Sequence, residues 1–437
     1  MNIYRPQGAS GKLPVVVWPF SGGFRWGCAS TWDFTKFVQR SVQIGQPVMV
    51  VAPNYRLNVF GFLCGPDSPL QDLNAGILDH FFAMDFISDN LVVLGGDKSK
   101  ITVWGQSYGA TMLEMEMLYL NKGDLKPSAG ILDSCTGPMK TTTTISECTP
   151  RTWINLLSLT NCNTAPDKLA CLRSIPEQAL FNVTLKLATI LPGDAFPVII
   201  DARSRFDQRP SVKIRSGNFT ALPIIMGRMA QDGSVFAASQ RTVTPVAEQE
   251  DPVTNKFLAT TQLNNLTWSD DFFAELDAWY HYPLNDTTFE GPFKTGLPLF
   301  DRLSLIFTDA YFSSHMKLLM TENSRKGKNT YGYFFNEPVP SGGAARELGV
   351  YHGTNLVYVF GNANSTEYDV FAQTYQDMYI NFINSRNSGV EIWTKYTPSS
   401  RKLLQIQKSH IGMIDDDIRQ AQVDWFNTPA VQEVFQK

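Results

Sequence analysis

Residues 101–110, Ile101-Thr102-Val103-Trp104-Gly105-Gln106-Ser107-Tyr108-Gly109-Ala110, read as a strand, a sharp turn and the start of a helix. Ser107 stands at the turn with a glycine two residues to either side. A reversal this tight strains the serine and draws neighbouring backbone so close that a side chain at either flanking position would clash. Working outward, the apolar runs 14–18, 48–52 and 129–133 read as further strands. Their apolar residues are continuous and not alternating, which requires a sheet covered on both faces. Between the second and third strands, Ile77, Phe81, Met84, Ile87 and Leu91 recur at helical spacing and predict a crossover helix over 74–94. A second helix is expected over 110–120, apolar apart from Glu114 and Glu116 and suited to packing beneath the centre of the sheet. Residues 223–227 and 330–336 predict two later parallel strands, each followed by a loop with polar residues, where ligands meet such sheets. Residues 240–320 read as a helical insertion with a start signal at Ser269-Asp270-Asp271 before Phe272, Phe273 and Leu276. Ile414, Ile418, Ala421 and Trp425 are expected to form one face of a final helix. No repeat or long linker interrupts the pattern, so residues 1–437 are expected to form a single α/β domain.

Composition narrows the partners. The 37 Lys and Arg against 41 Asp and Glu leave a formal charge of −4, which argues against nucleic acid or an anionic membrane surface and favours an uncharged small molecule. There is no apolar run long enough to span a bilayer, so stable membrane insertion is not expected, and Met1-Asn2-Ile3-Tyr4-Arg5-Pro6 is not a signal peptide. The sequence assigns no oligomeric state. The six cysteines, Cys28, Cys64, Cys135, Cys148, Cys162 and Cys171, include no Cys-x-x-Cys pair and no histidine at ligand spacing, so no metal is expected. Cys162 and Cys171 are close enough to close a short disulfide loop, the alternative being two unrelated thiols. Sequons begin at Asn182, Asn218, Asn265, Asn285 and Asn364. Roughly four would arise by chance in a chain this rich in Asn, Ser and Thr, so their number does not decide secretion or glycosylation.

A serine hydroxyl is a poor nucleophile until a base takes its proton, and that base must be held by a carboxylate. Of the five histidines, His80 and His315 fall in predicted helices and suit a structural role. His281 lies in an aromatic run that suggests a surface turn, and His410 precedes the expected final helix as its cap or as a solvent-facing residue. His352, in Gly349-Val350-Tyr351-His352-Gly353, follows the strand at 330–336 and is the expected base. Asp232, beside Gly233 after the strand at 223–227, is the expected acid, against the alternative of a turn or helix cap. The oxyanion of an acyl-transfer intermediate needs fixed N–H donors. Gly22 and Gly23, in the loop after the first predicted strand, and the backbone of Tyr108 are the candidates, although paired glycines also make ordinary turns.

The order Ser107, Asp232, His352 is that of α/β-hydrolases. Together with Phe20-Ser21-Gly22-Gly23-Phe24, Asn54-Tyr55-Arg56, Gly95-Gly96-Asp97, Asp232-Gly233-Ser234 and Val359-Phe360-Gly361, it resembles the type-B carboxylesterase and lipase family, which includes fungal lipases and the cholinesterases. The resemblance runs along nearly the whole chain. It implies an α/β-hydrolase fold with a large, mostly parallel central sheet, helices on both faces and a helical insertion. It also implies hydrolysis of carboxylic esters through an acyl-serine without metal or organic cofactor, and secretion. The segment from Cys162 to Cys171 resembles the one that holds a short-loop disulfide in secreted fungal members. Asp232 stands where the family usually has glutamate, Gln106 and Tyr108 where it has glutamate and alanine, and Ser21 where it has the first of three glycines. Met1 falls where family members already have a preceding segment, so the chain is expected to lack the family's N-terminal part. The rival expectation is a non-catalytic protein on the same fold, either an adhesion-type binding module or an inactive truncated homologue.

Overall fold

Val15, Val16 and Val17 are wholly buried because their strand has a neighbour on each side and helices on both faces. The computed structural model describes residues 1–135, 142–191, 195–241, 270–280, 295, 297–340, 346–363 and 366–434. Among these, nine strands form one sheet: β1 (Asn2–Tyr4), β2 (Leu13–Val17), β3 (Met49–Ala52), β4 (Gly96–Gln106), β5 (Ala129–Asp133), β6 (Ile224–Met229), β7 (Thr330–Phe335), β8 (Lys402–Gln407) and β9 (His410–Asp415). Their order is β1-β3-β2-β4-β5-β6-β7-β8-β9. Only the outermost pairs, β1 with β3 and β8 with β9, are antiparallel. All seven inner strands run parallel. This is the α/β-hydrolase fold expected from the sequence.

Helices α1 (Ala75–Asn90) and α2 (Tyr108–Tyr119) occupy the two predicted helical segments. The first stops at Asn90, and residues 91–94 turn into β4. Every residue of α2 is buried, which its two glutamates tolerate only through partners. Glu116 meets Nε2 of His80 on α1 at 2.6 Å, and Glu114 accepts from the Cys135 thiol at 3.3 Å. Helix α3 (Asp270–Trp279) begins at the predicted start signal. Helices α4 (Pro298–Phe307) and α5 (Ser314–Arg325) complete the part of the insertion that can be described; residues 242–269 and 281–294, with His281, Asn265 and Asn285, lie outside the described residues, as does Asn364. His315 on α5 bonds Glu114 at 3.0 Å, so both helical histidines are buried against glutamates of α2. Helix α6 (Thr366–Ser385) packs on the other face of the sheet: Trp104 meets Tyr379 of α6 at 5.1 Å, whereas a Cβ on its neighbour Gly105 would point into α2.

The expected final helix is corrected. Ile414 lies in β9, paired with Leu403, and Ile418 precedes helix α7 (Gln420–Phe426), which contains Ala421 and Trp425. Residues 402–415 form a hairpin with a half-exposed outer strand, and Ile414 near its end lies four residues before Ile418, a spacing that a helix also fits. His410 therefore starts an edge strand, where it faces solvent, and caps no helix. Disulfides join Cys162 to Cys171, as the resemblance implies, and Cys64 to Cys148, which are 84 residues apart.

At the carboxyl end of β5, the fully buried Asp133 carboxylate accepts from Trp104 Nε1 at 2.7 Å and from the hydroxyls of Tyr333 at 2.7 Å and Tyr379 at 2.5 Å. Burial outweighs these donors and pushes its pKa up to about 6. An aspartate in the unfolded chain titrates near ~3.9. The folded state therefore keeps the proton over a window in which the unfolded state has released it. This contribution to stability is complete below the unfolded value and is lost as pH rises through the folded one. Compared with Asp133→Asn, the parent chain should lose on the order of 2–3 kcal/mol of relative stability between about pH 4 and 6. Paired urea denaturation curves across that range check this; a pH-independent difference would refute it.

Candidate active site

Ser107 occupies the turn between β4 and α2 with φ 56° and ψ −130°, a strained conformation for a residue with a Cβ. Its N–H donates to the Asp133 carbonyl at 2.9 Å, which fixes the turn to the end of β5. The flanking glycines are sterically required. A Cβ on Gly105 would lie 2.2 Å from the Gly109 carbonyl carbon, and one on Gly109 would lie 2.2 Å from the Pro19 oxygen.

Asp232 and His352 follow the ends of β6 and β7, on the same edge of the sheet as Ser107. His352 Nδ1 bonds Asp232 Oδ1 at 2.8 Å. The other oxygen of this fully buried aspartate accepts from the Met229 N–H at 2.6 Å and the Ser134 hydroxyl at 3.1 Å. Oδ2 is thus held as an acceptor, which leaves Oδ1 to accept from an Nδ1–H; in that tautomer Nε2 carries the lone pair. Phe236 and Phe312 flank the ring, with centroids 5.7 and 4.9 Å away. The two loops are joined through their backbones: Gln231 N–H donates to the Val350 carbonyl at 3.0 Å, and Val350 N–H donates to the Gln231 side chain at 2.8 Å.

Ser107, Tyr108, His352, Gly22 and Gly23 line one cavity of about 470 Å³, with Trp26, Trp32, Phe236 and Leu356 among its apolar walls. Gly22 and Gly23 have φ of 123° and 64°, and a Cβ on Gly22 would lie 1.9 Å from the Trp26 oxygen. Tyr108 turns its ring into an edge contact with Phe24 at 4.5 Å, and its backbone begins α2, where helix N–H groups favour negative charge. A larger cavity of about 620 Å³, walled by Leu63, Leu78, Leu169 and Leu172, contains none of these candidates.

Every candidate triad and oxyanion residue named from the sequence reaches the 470 Å³ cavity or, in the case of Asp232, the residue that lines it. One contact departs from expectation. Nε2 of His352 is bonded at 3.0 Å to the carboxamide of Gln106, and among the described residues no hydrogen bond joins it to the Ser107 hydroxyl. Ser134 and the rings of Phe236 and Phe312 escaped the sequence reading; only Ser134 carried a signal, as a polar residue just beyond a buried strand.

The carboxylesterase family profile matches residues 1–426. The chain belongs to the carboxylesterase family. "Secreted lipase 1" of Botryotinia fuckeliana (strain B05.10) is 28% identical to this carboxylesterase over 97% of the chain and 75% of the relative. "Lipase 5" of Diutina rugosa is 30% identical over 96% of the chain and 77% of the relative. "Secreted triacylglycerol lipase LIP1" of Gibberella zeae is 26% identical over 96% and 72%, respectively. The carboxylesterase is a carboxylic ester hydrolase, and its relatives are fungal lipases.

The close approach of α2 to the loop before Gly22 sets a testable limit on the carboxylesterase. Gly109→Ala, which places a methyl against backbone, should destabilise the fold by about 2–4 kcal/mol. Gly123, with open space around its Cβ position, is the control: Gly123→Ala should stay within about 0.5 kcal/mol of the parent. Chemical denaturation of both variants tests the contact, and equal stabilities would exclude it.

Proposed function

We propose that this carboxylesterase hydrolyses esters with a Ser107–His352–Asp232 triad through an acyl-serine intermediate, within one α/β-hydrolase domain spanning residues 1–437. The observation that carries the reading is the 2.8 Å bond from a buried, doubly anchored aspartate to a histidine that shares a cavity with a strained serine. Ser107 Oγ attacks the ester carbonyl carbon while His352 Nε2 takes the hydroxyl proton. The tetrahedral intermediate collapses, the C–O bond to the alcohol breaks, and the imidazolium returns its proton to the leaving oxygen. Water then attacks the acyl-serine by the same route, releasing the acid and restoring Ser107. Asp232 holds the imidazole tautomer and stabilises the cation, while N–H groups of Gly22, Gly23 and Tyr108 hold the oxyanion.

The apolar walls suit an uncharged ester with a hydrophobic acyl or alcohol part. Relatives named as secreted lipases support an extracellular setting, as do the two disulfides. Neither a nucleic-acid partner nor stable membrane insertion is part of the reading; among the described residues, no helix is long and apolar enough to cross a membrane.

A fluorophosphonate probe should label the purified chain at Ser107, as read by peptide mass mapping. Ser107→Ala should abolish labelling and lower ester turnover by a factor on the order of 10⁵. Undiminished turnover in a folded Ser107→Ala variant would reject the triad.

A further inference from the structure

We infer that Gln106 is a positioning residue that occupies the proton-accepting nitrogen of His352 in the resting enzyme and must withdraw before Ser107 can transfer its proton. The inference rests on the triad reading above.

It follows from the hydrogen-bond roles around the ring. Asp232 Oδ1 accepts from Nδ1, so Nε2 is the nitrogen without a proton and its partner must be a donor. The carboxamide of Gln106, 3.0 Å away, supplies that donor through its Nε2–H. An sp² nitrogen has one in-plane lone pair. The Ser107 hydroxyl needs that lone pair, so the two donors compete for it.

The contact is built into the fold. Gln106 is the last residue of β4 and only 3% exposed, so its carboxamide cannot find an equal partner in bulk water. It packs beside Gly353, where a Cβ would lie 3.5 Å from the amide nitrogen. Gln106 also lines the cavity that holds Ser107, so a ligand entering that cavity meets the carboxamide. Asp232 is the charged group in hydrogen-bond contact with the ring, and the rings of Phe236 and Phe312 are tilted against it. A carboxylate at position 106 would reverse the chemistry of this contact: it cannot donate to neutral imidazole, and it would accept from imidazolium and stabilise it.

The test is the second-order rate of Ser107 labelling by a small alkyl fluorophosphonate, followed from pH 5 to 9 in the parent, Gln106→Met and Gln106→Glu. Removing the competing donor in Gln106→Met should raise the rate about three- to tenfold, the span of one modest hydrogen bond. Gln106→Glu should move the acid limb of the profile upward by on the order of one pH unit, a change that a packing role alone would not produce. A folded Gln106→Met variant that reacts no faster than the parent would overturn the inference, as would an unmoved acid limb in Gln106→Glu. If Gln106→Met fails to fold, the acid limb of Gln106→Glu alone decides. Absence of labelling in the parent removes the triad itself, an outcome distinct from parental labelling that position 106 does not affect.

Discussion

Ser107 holds a backbone conformation that costs a residue with a side chain about 1–3 kcal/mol, and the surrounding structure serves to keep it there. Its N–H is tied to the end of β5, while its carbonyl takes the first helical bond of α2 from Thr111 at 3.1 Å. The strand end that receives it is itself immobilised, because the Asp133 side chain is gripped by three donors from β4, β7 and α6. Glycines at 105 and 109 let the helix lie against the strand it has just left. Strain at one residue is thus held by a sheet several strands wide.

The same helix explains an arrangement that would otherwise be costly. Glu114 and Glu116 project from opposite sides of a wholly buried α2, where burial pushes the Glu116 carboxyl up despite its bond to His80. Each meets a histidine from a different direction, His80 on the crossover helix and His315 on α5 of the insertion. Apolar residues could fill that volume at least as stably, since buried ion pairs seldom add net stability. What polar contacts add is direction: Glu116 is aimed at His80, and Glu114 at His315 and the Cys135 thiol. The insertion is thereby tied to the helix that carries the strained serine, and its Phe312 reaches the His352 ring.

Much of this was legible because covered parallel strands are written as continuous apolar runs: residues 129–133 are β5 as predicted, and residues 330–336 overshoot β7 by one. Edge strands follow weaker rules. β1 spans three residues, and β9 alternates only partly, so Ile414 could be joined to Ile418 at helical spacing. The triad candidates were legible because loops after strand ends carried Ser107, Asp232 and His352 beside glycines. Their flanking rings were not, since Phe236 and Phe312 look like ordinary core residues until tertiary packing sets them against His352. The Cys64–Cys148 disulfide was hidden for the same reason, its partners being 84 residues apart without a spacing signal.

Backbone pairing also accounts for the placing of Asp232. The family resemblance implies glutamate where this chain has Asp232, and a shorter side chain would leave a gap if the imidazole were positioned by that side chain alone. It is not. Gln231 and Tyr351 form a parallel bridge, reinforced by the bonds between Gln231 and Val350, and this joins the loop before Asp232 to the loop before His352. Met229, the last residue of β6, donates its N–H to Asp232 Oδ2 and folds the aspartate back toward the strand, leaving Oδ1 to face Nδ1. The separation between Asp232 and His352 is therefore set by where two loops are joined to each other. Side-chain length need only match that separation, and at 2.8 Å aspartate does.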